Sequence, residues 1–186
     1  VATAPNSGQL ELWAVDRRSR SVAWKRALAD TNHMERKQNM SSPSPVTDGK
    51  LLYVSNEDAG TASIVEIGPG TVRATVPTGR EPEGVTVSPD GKTVWITGET
   101  DHDLTVLDAE TGMKATSVKV GLRPRSVGFL PNATRAYSTN EADGTLSVRP
   151  MLMLDPEDDQ PRPNKTVPAH FAPVDEASAE DVERVF

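Results

Sequence analysis

The sequence predicts an all-β chain of repeated four-stranded antiparallel meanders, and three observations carry that reading. The first is a repeat: Gly79, Pro82, Val85 and Pro89 return as Gly121, Pro124, Val127 and Pro131, a constant step of 42. The aromatic series Tyr53, Trp95, Tyr137 and the acidic series Glu57, Glu99, Glu141 keep the same step. The second is the content of each period, short runs of β-branched residues separated by turn signals. The third is composition: of 186 residues only 4% are aromatic and 35% hydrophobic, while 13 Gly and 15 Pro punctuate the chain. That balance disfavours a helical bundle, and no stretch within the repeat unit holds the 3.6-residue period a helical repeat needs. A period of this length, filled with strands, is the signature of β-propeller blades.

The central unit shows the elements in order. Gly84-Val85-Thr86-Val87 alternates into the hairpin signal Ser88-Pro89-Asp90-Gly91, and Thr93-Val94-Trp95-Ile96-Thr97 follows as a second strand. A polar loop from Glu99 to Asp103 leads to Leu104-Thr105-Val106-Leu107, and Asp108-Ala109-Glu110-Thr111-Gly112 turns the chain into a fourth strand over 115–120. A blade buries both faces against its neighbours, so β-branched and small residues on either side replace an aromatic core. The recurrent Tyr53, Trp95 and Tyr137 are read as packing between blades. Residues 9–29 supply two strands, the two complete periods eight, and the last unit three before Pro150. These thirteen strands make about three blades, too few for a closed ring. The expectation is an incomplete or assembling propeller, with open edges available for self-assembly.

Within residues 51 to 149 the repeat resembles the YVTN family of β-propeller repeats. Its eponymous tetrapeptide stands as Tyr53-Val54-Ser55-Asn56, Trp95-Ile96-Thr97-Gly98 and Tyr137-Ser138-Thr139-Asn140. Asp103-Leu104-Thr105-Val106-Leu107-Asp108 and Gly144-Thr145-Leu146-Ser147-Val148 match its third strand. Ahead of it, Ala14-Val15-Asp16 followed by Trp24 is similar to the docking repeat of quinoprotein (PQQ) propellers, with the usual Thr-Gly-Lys turn degraded to Ser19-Arg20-Ser21. Met40 to Lys50 also resembles the opening of a quinoprotein-like blade. The organisation expected is thus blades over 1–154 (1–50 quinoprotein-like, 51–154 YVTN-like) and a tail over 155–186. An inserted loop is expected over 32–39. The tail reads as an acidic, Pro-rich linker through Pro168, then a short helix over 175–186 whose Val182, Val185 and Phe186 form an apolar edge.

A net charge of −7 argues against a nucleic-acid or anionic-lipid surface. The absence of cysteine excludes disulfides and thiolate chemistry. No apolar run reaches the length of a membrane span, and Val1 is not followed by a leader-like region, so a signal peptide has been removed or was never included. Neither Gly-x-Ser-x-Gly nor a phosphate-cradling loop occurs, and no catalytic residue is nominated. The position-specific candidates are Arg80, Glu81, Arg123 and Arg125, in segments that precede the first strand of their blades. By analogy with other propellers these lie on the channel face, where the arginines could meet a small anionic ligand. The alternative is a blade-linking turn set by Pro82 and Pro124. Asp101, His102 and Asp103 are weak candidates for a divalent cation.

The resemblance implies a non-enzymatic binding or scaffold module, periplasmic or extracellular in a bacterium, with a protein partner or small ligand, possible association with quinoprotein redox metabolism and no nucleic acid. Two alternatives stand beside it: a fragment of a PQQ-dependent dehydrogenase, and a surface-layer or adhesion repeat. PQQ and calcium belong only to the dehydrogenase reading, and the Glu, Asn and Asp that hold calcium in that family have no matching motif here.

Overall fold

A computed structural model of the chain describes residues 9–30 and 45–151, and the backbone of 165–168. The inserted loop over 32–39 and the C-terminal helix expected over 175–186 lie outside the described residues.

Fourteen strands follow in order: β1 Leu10–Val15, β2 Val22–Ala29, β3 Pro45–Thr47, β4 Leu51–Asn56, β5 Thr61–Glu66, β6 Val72–Pro77, β7 Pro82–Val87, β8 Thr93–Gly98, β9 Asp103–Asp108, β10 Lys114–Lys119, β11 Pro124–Phe129, β12 Arg135–Asn140, β13 Thr145–Pro150 and β14 Lys165–Pro168. They form one two-stranded sheet, β1–β2, and three four-stranded meanders, β3–β6, β7–β10 and β11–β14. The four sheets do not close into a ring. Pairing between the second and third strands is identical in the three meanders: Leu51↔Glu66, Thr93↔Asp108 and Arg135↔Pro150 each open a six-pair register. Pro stands first in β3, β7 and β11, the edge position where its missing N–H costs the ladder nothing.

Strand β14 corrects the expected boundary. The last unit has a fourth strand, paired from Thr145↔Pro168 to Val148↔Lys165, inside the stretch read as linker. The 42-residue step places that strand from position 156, where Pro156-Glu157-Asp158-Asp159 cannot serve. An insertion carries the chain to Lys165-Thr166-Val167, which has the β-forming residues that satisfy the edge of β13.

The turn after β1, whose sequence departs from Thr-Gly-Lys at Ser19-Arg20-Ser21, keeps a full set of hydrogen bonds. Asp16 Oδ1 accepts from Ser19 N at 2.7 Å and Ser19 Oγ at 2.8 Å, as Asp108 Oδ1 accepts from Thr111 N at 2.7 Å and Thr111 Oγ1 at 2.8 Å. Arg20 takes the left-handed φ of 57° where the later turn has Gly112 at 72°. The matching turns identify β1 and β2 with β9 and β10. The two-stranded sheet is therefore the outer half of a blade.

Apolar side chains fill the three junctions between successive sheets. Leu10, Leu12 and Leu28 pack on Val54 and Val65; Tyr53 and Ile64 on Val85, Val94, Ile96 and Leu107; Trp95, Leu104 and Val106 on Val127, Ala136 and Met151. Alternation within β8 sends Val94 and Ile96 to one junction and Trp95 to the other, as the period of two requires. Trp95 meets Phe129 edge-on, centroids 5.8 Å apart, and its indole donates to Thr93 Oγ1 at 2.9 Å. Tyr53 and Trp95 thus pack between sheets as expected. Tyr137 lies on the outer face of the last meander with Leu146 and Val148, partly exposed, where the equivalent Trp95, Leu104 and Val106 are fully covered.

Candidate functional site

The first strands of the meanders stand side by side: β7 touches both β3 and β11. Side chains tie them across sheets, Ser55 Oγ donating to Glu83 O and Thr86 Oγ1 to Val127 O, each at 2.9 Å. At Gly84 a Cβ would lie 2.4 Å from the Arg125 carbonyl oxygen, so the missing side chain permits the close approach of β7 and β11. The loops after β4, β8 and β12 and those before β7 and β11 meet at the same end of the stack. The sequence candidates gather there.

Arg125 is the hub. Its Nη1 pairs with Glu83 and, at 2.9 Å, with Glu99, and its Nε with Glu141 at 2.6 Å. Arg123 Nε pairs with Glu99 and lies 3.7 Å from Glu141. Glu99 is only 7% exposed, and the two guanidiniums compensate its burial. Burial works against the charge of Arg125, but the carboxylates of Glu83, Glu141 and Glu99 outweigh it and raise its pKa. The hydrogen bond that Arg123 donates to Glu99 does the same for Arg123. Arg80 faces another way. Its backbone N and its Nε donate to the two oxygens of Asp101 at 2.7 and 2.8 Å, and those bonds hold the Asp101 carboxyl below its usual range. Glu81 accepts from the Thr100 hydroxyl.

The metal candidates diverge. Asp101 turns to Arg80, Asp103 lies 3.6 Å from Lys119 Nζ, and His102 Nδ1 accepts from Arg123 N at 3.2 Å. Among the described residues no group of three His, Cys, Asp or Glu side chains is arranged to hold a metal ion.

The neighbouring junction carries the same scaffold with opposite charge. Glu57, the repeat partner of Glu99, faces the places where Arg123 and Arg125 would stand, and these are Glu81 and Glu83. Glu81 and Arg123 even share a left-handed backbone, φ 53° and 59°. Burial pushes the Glu57 carboxyl up, and the charges of Glu83, Asp58, Glu99 and Glu81 push it further. Glu83 is also raised, by burial first and then by Glu99, against the pull of Arg125. A cleft of about 360 Å³ lined by Glu57, Asp58, Arg80, Glu81 and Thr100 opens here.

The sequence reading nominated the arginines but not Glu83, Glu99 or Glu141. Glu99 and Glu141 were visible in the acidic series at the common step, legible as positions and silent about what they meet, whereas Glu83, whose repeat partner is Arg125, had no such signal.

Stacked antiparallel meanders joined through their faces define a β-propeller-type fold, and solved structures agree. The dihydro-heme d1 dehydrogenase NirN, solved with DHE, superposes with a TM-score of 0.61 at 18% identity, covering 90% of this chain and 36% of that one. Hydrazine synthase of Kuenenia stuttgartiensis gives 0.55 at 19% identity, covering 63% and 36%. A 6-phosphogluconolactonase-like protein of Bacteroides fragilis gives 0.51 at 21%, covering 57% and 34%. At these identities the likeness is one of fold, and the chain spans about a third of each of these proteins. No family model and no curated protein matches the sequence.

Proposed function

We propose that the chain is a non-enzymatic β-propeller binding and scaffold module of the bacterial periplasm or cell exterior, associated with quinoprotein-type redox metabolism. The observation that carries the reading is the use made of the channel-side arginines. Arg123 and Arg125, with Glu141 of their own meander, reach across a sheet junction to Glu83 and Glu99 of the β7–β10 meander, which braces the stack instead of presenting free cations to a substrate. Of the arginines read from the sequence as cations for a small anionic ligand, Arg123 and Arg125 are engaged in this brace and Arg80 pairs with Asp101. The YVTN-like and quinoprotein-like motifs support the redox association, and two of the structural neighbours bear redox names, a dihydro-heme d1 dehydrogenase and hydrazine synthase.

Reconstitution of the purified chain with PQQ and Ca²⁺ tests the reading. No turnover of alcohols or sugars is expected, and measurable turnover would replace the module by a dehydrogenase fragment. The partly exposed Tyr137, Leu146 and Val148 favour a second reading, self-assembly through the last meander. Sedimentation velocity over a range of concentrations distinguishes it: a monomer throughout removes assembly from the proposal.

A further inference from the structure

At the end of the stack opposite the arginine brace, a cleft of about 600 Å³ spans the junction between the β3–β6 and β7–β10 meanders. Its walls carry three cations, Lys50, Arg73 and Lys92, and three acids, Asp48, Asp108 and Glu110. The formal charges balance, but the two signs are committed differently. Asp48 Oδ1 accepts from the backbone N of Lys50 and of Leu51 at 2.8 and 2.7 Å, and its Oδ2 from the Tyr53 hydroxyl at 3.2 Å. Asp108 Oδ1 accepts from Thr111 N and its hydroxyl. These two carboxylates are turned into their own hairpins, where N–H and O–H donors already meet their charge. The cations are less committed, although the Ser88 hydrogen bond and the charge of Lys92 hold the Asp90 carboxyl below its usual range. Among the described residues neither Lys50 nor Lys92 joins a salt bridge, and Arg73 donates only to the Glu110 carbonyl, at 3.0 Å.

The repeat supplies an internal comparison. Lys50 and Lys92 are the same position of successive Asp-Gly-Lys turns, so the step that stacks the sheets brings two ammonium groups to one junction. At the next junction the corresponding turn has Thr134 in place of the second lysine, and Ala115 stands where Arg73 does. The cation triplet belongs to this junction alone among the meanders.

From this cleft we infer an anion-binding site in which Lys50, Arg73 and Lys92 together hold a phosphate or carboxylate group of a small ligand. Arg73 supplies a planar fork suited to two oxygens, and the lysines supply point charges from either wall. The Tyr53 hydroxyl, with its pKa pushed up to about 12, stays protonated and donates to Asp48 Oδ2. The inference stands independently of the proposed module function.

The test uses the whole chain, with inorganic phosphate and succinate as separate probes, titrated at constant ionic strength and followed by amide NMR shifts. Saturable shifts confined to the amides of Lys50, Leu51, Gly91, Lys92, Ala109 and Glu110 are expected, and the preferred probe separates a phosphate from a carboxylate ligand. Lys50→Gln and Lys92→Gln together should weaken binding at least about tenfold, with the remaining spectrum unchanged as the check on folding. Lys119→Gln, remote from the cleft, should leave binding intact. Non-saturable shifts, shifts reproduced by chloride, or binding that survives the double substitution would overturn the inference.

Discussion

Replacing Arg125 by Met keeps most of the aliphatic stem and removes the guanidinium that serves Glu83, Glu99 and Glu141 at once. Glu99 retains Arg123, but Glu83, half-buried, loses its only cation among the described residues. Removing one partner of a fully buried pair costs about 3–5 kcal/mol, whereas an exposed pair is worth about 1 kcal/mol or less. The Arg125 side chain is 34% exposed, so water screens part of the interaction and the expected loss lies between these limits, about 2 kcal/mol. For a domain of this size that is a fall of about 4–8 °C in Tm, read by calorimetry or circular dichroism at neutral pH and low salt. The deficit must shrink on acidification, because the interaction with Glu83, whose carboxyl burial pushes up, exists only while that group is ionised, and it must shrink again near 1 M salt. A variant melting within about 1 °C of the parent, or one whose deficit ignores both pH and salt, would refute the brace.

Glu81→Arg copies Arg123 into the preceding junction, where the backbone already has the same left-handed turn; a gain of about 0.5–1 kcal/mol, measured by denaturant unfolding, is expected. Glu57→Gln tests the acid-rich junction by pH. The folded pKa of Glu57 lies above 4.5, so its contribution is present below that value and lost as pH rises through the folded pKa. The variant should therefore match the parent in acid and become the more stable protein towards neutrality. Arg20→Gly relieves a left-handed turn that Gly112 occupies freely, worth about 0.5–1 kcal/mol in thermal melts. Gly84→Ala drives a Cβ against the Arg125 carbonyl and should cost about 1–3 kcal/mol while slowing no step specific to the β1–β2 sheet; an unperturbed melt would show that β7 and β11 are not in close approach.

Much of this fold is legible because a fixed step must place equivalent residues in equivalent strands. Predicted strands at 93–97 and 115–120 differ from β8 and β10 by a residue or so at their ends. The step fails where the chain inserts, and β14 was missed because the residues at the expected place, Pro156 to Asp159, could only be read as linker. The turn at Arg20 was undervalued for a different reason: Asp16 and Ser19 provide its hydrogen bonds, and the missing glycine raises its strain without abolishing it. For the site, recurrence marked Glu99 as a position but could not pair it with Arg123 and Arg125, which reach it across a sheet boundary from 24 and 26 residues away. Likewise Lys50 and Lys92 are visibly the same turn residue, whereas Arg73 joins them only through the packing of β6 beside the neighbouring meander.

The reversal of charge between adjacent junctions makes ionic strength a redistributing agent. Added salt screens attraction where Arg123 and Arg125 meet Glu99, loosening β7–β10 from β11–β14. The same ions screen repulsion where Glu57 faces Glu81 and Glu83, tightening β3–β6 against β7–β10. The global melting temperature can therefore stay nearly level while the weaker seam migrates by one sheet, a change seen only by probes placed at each seam.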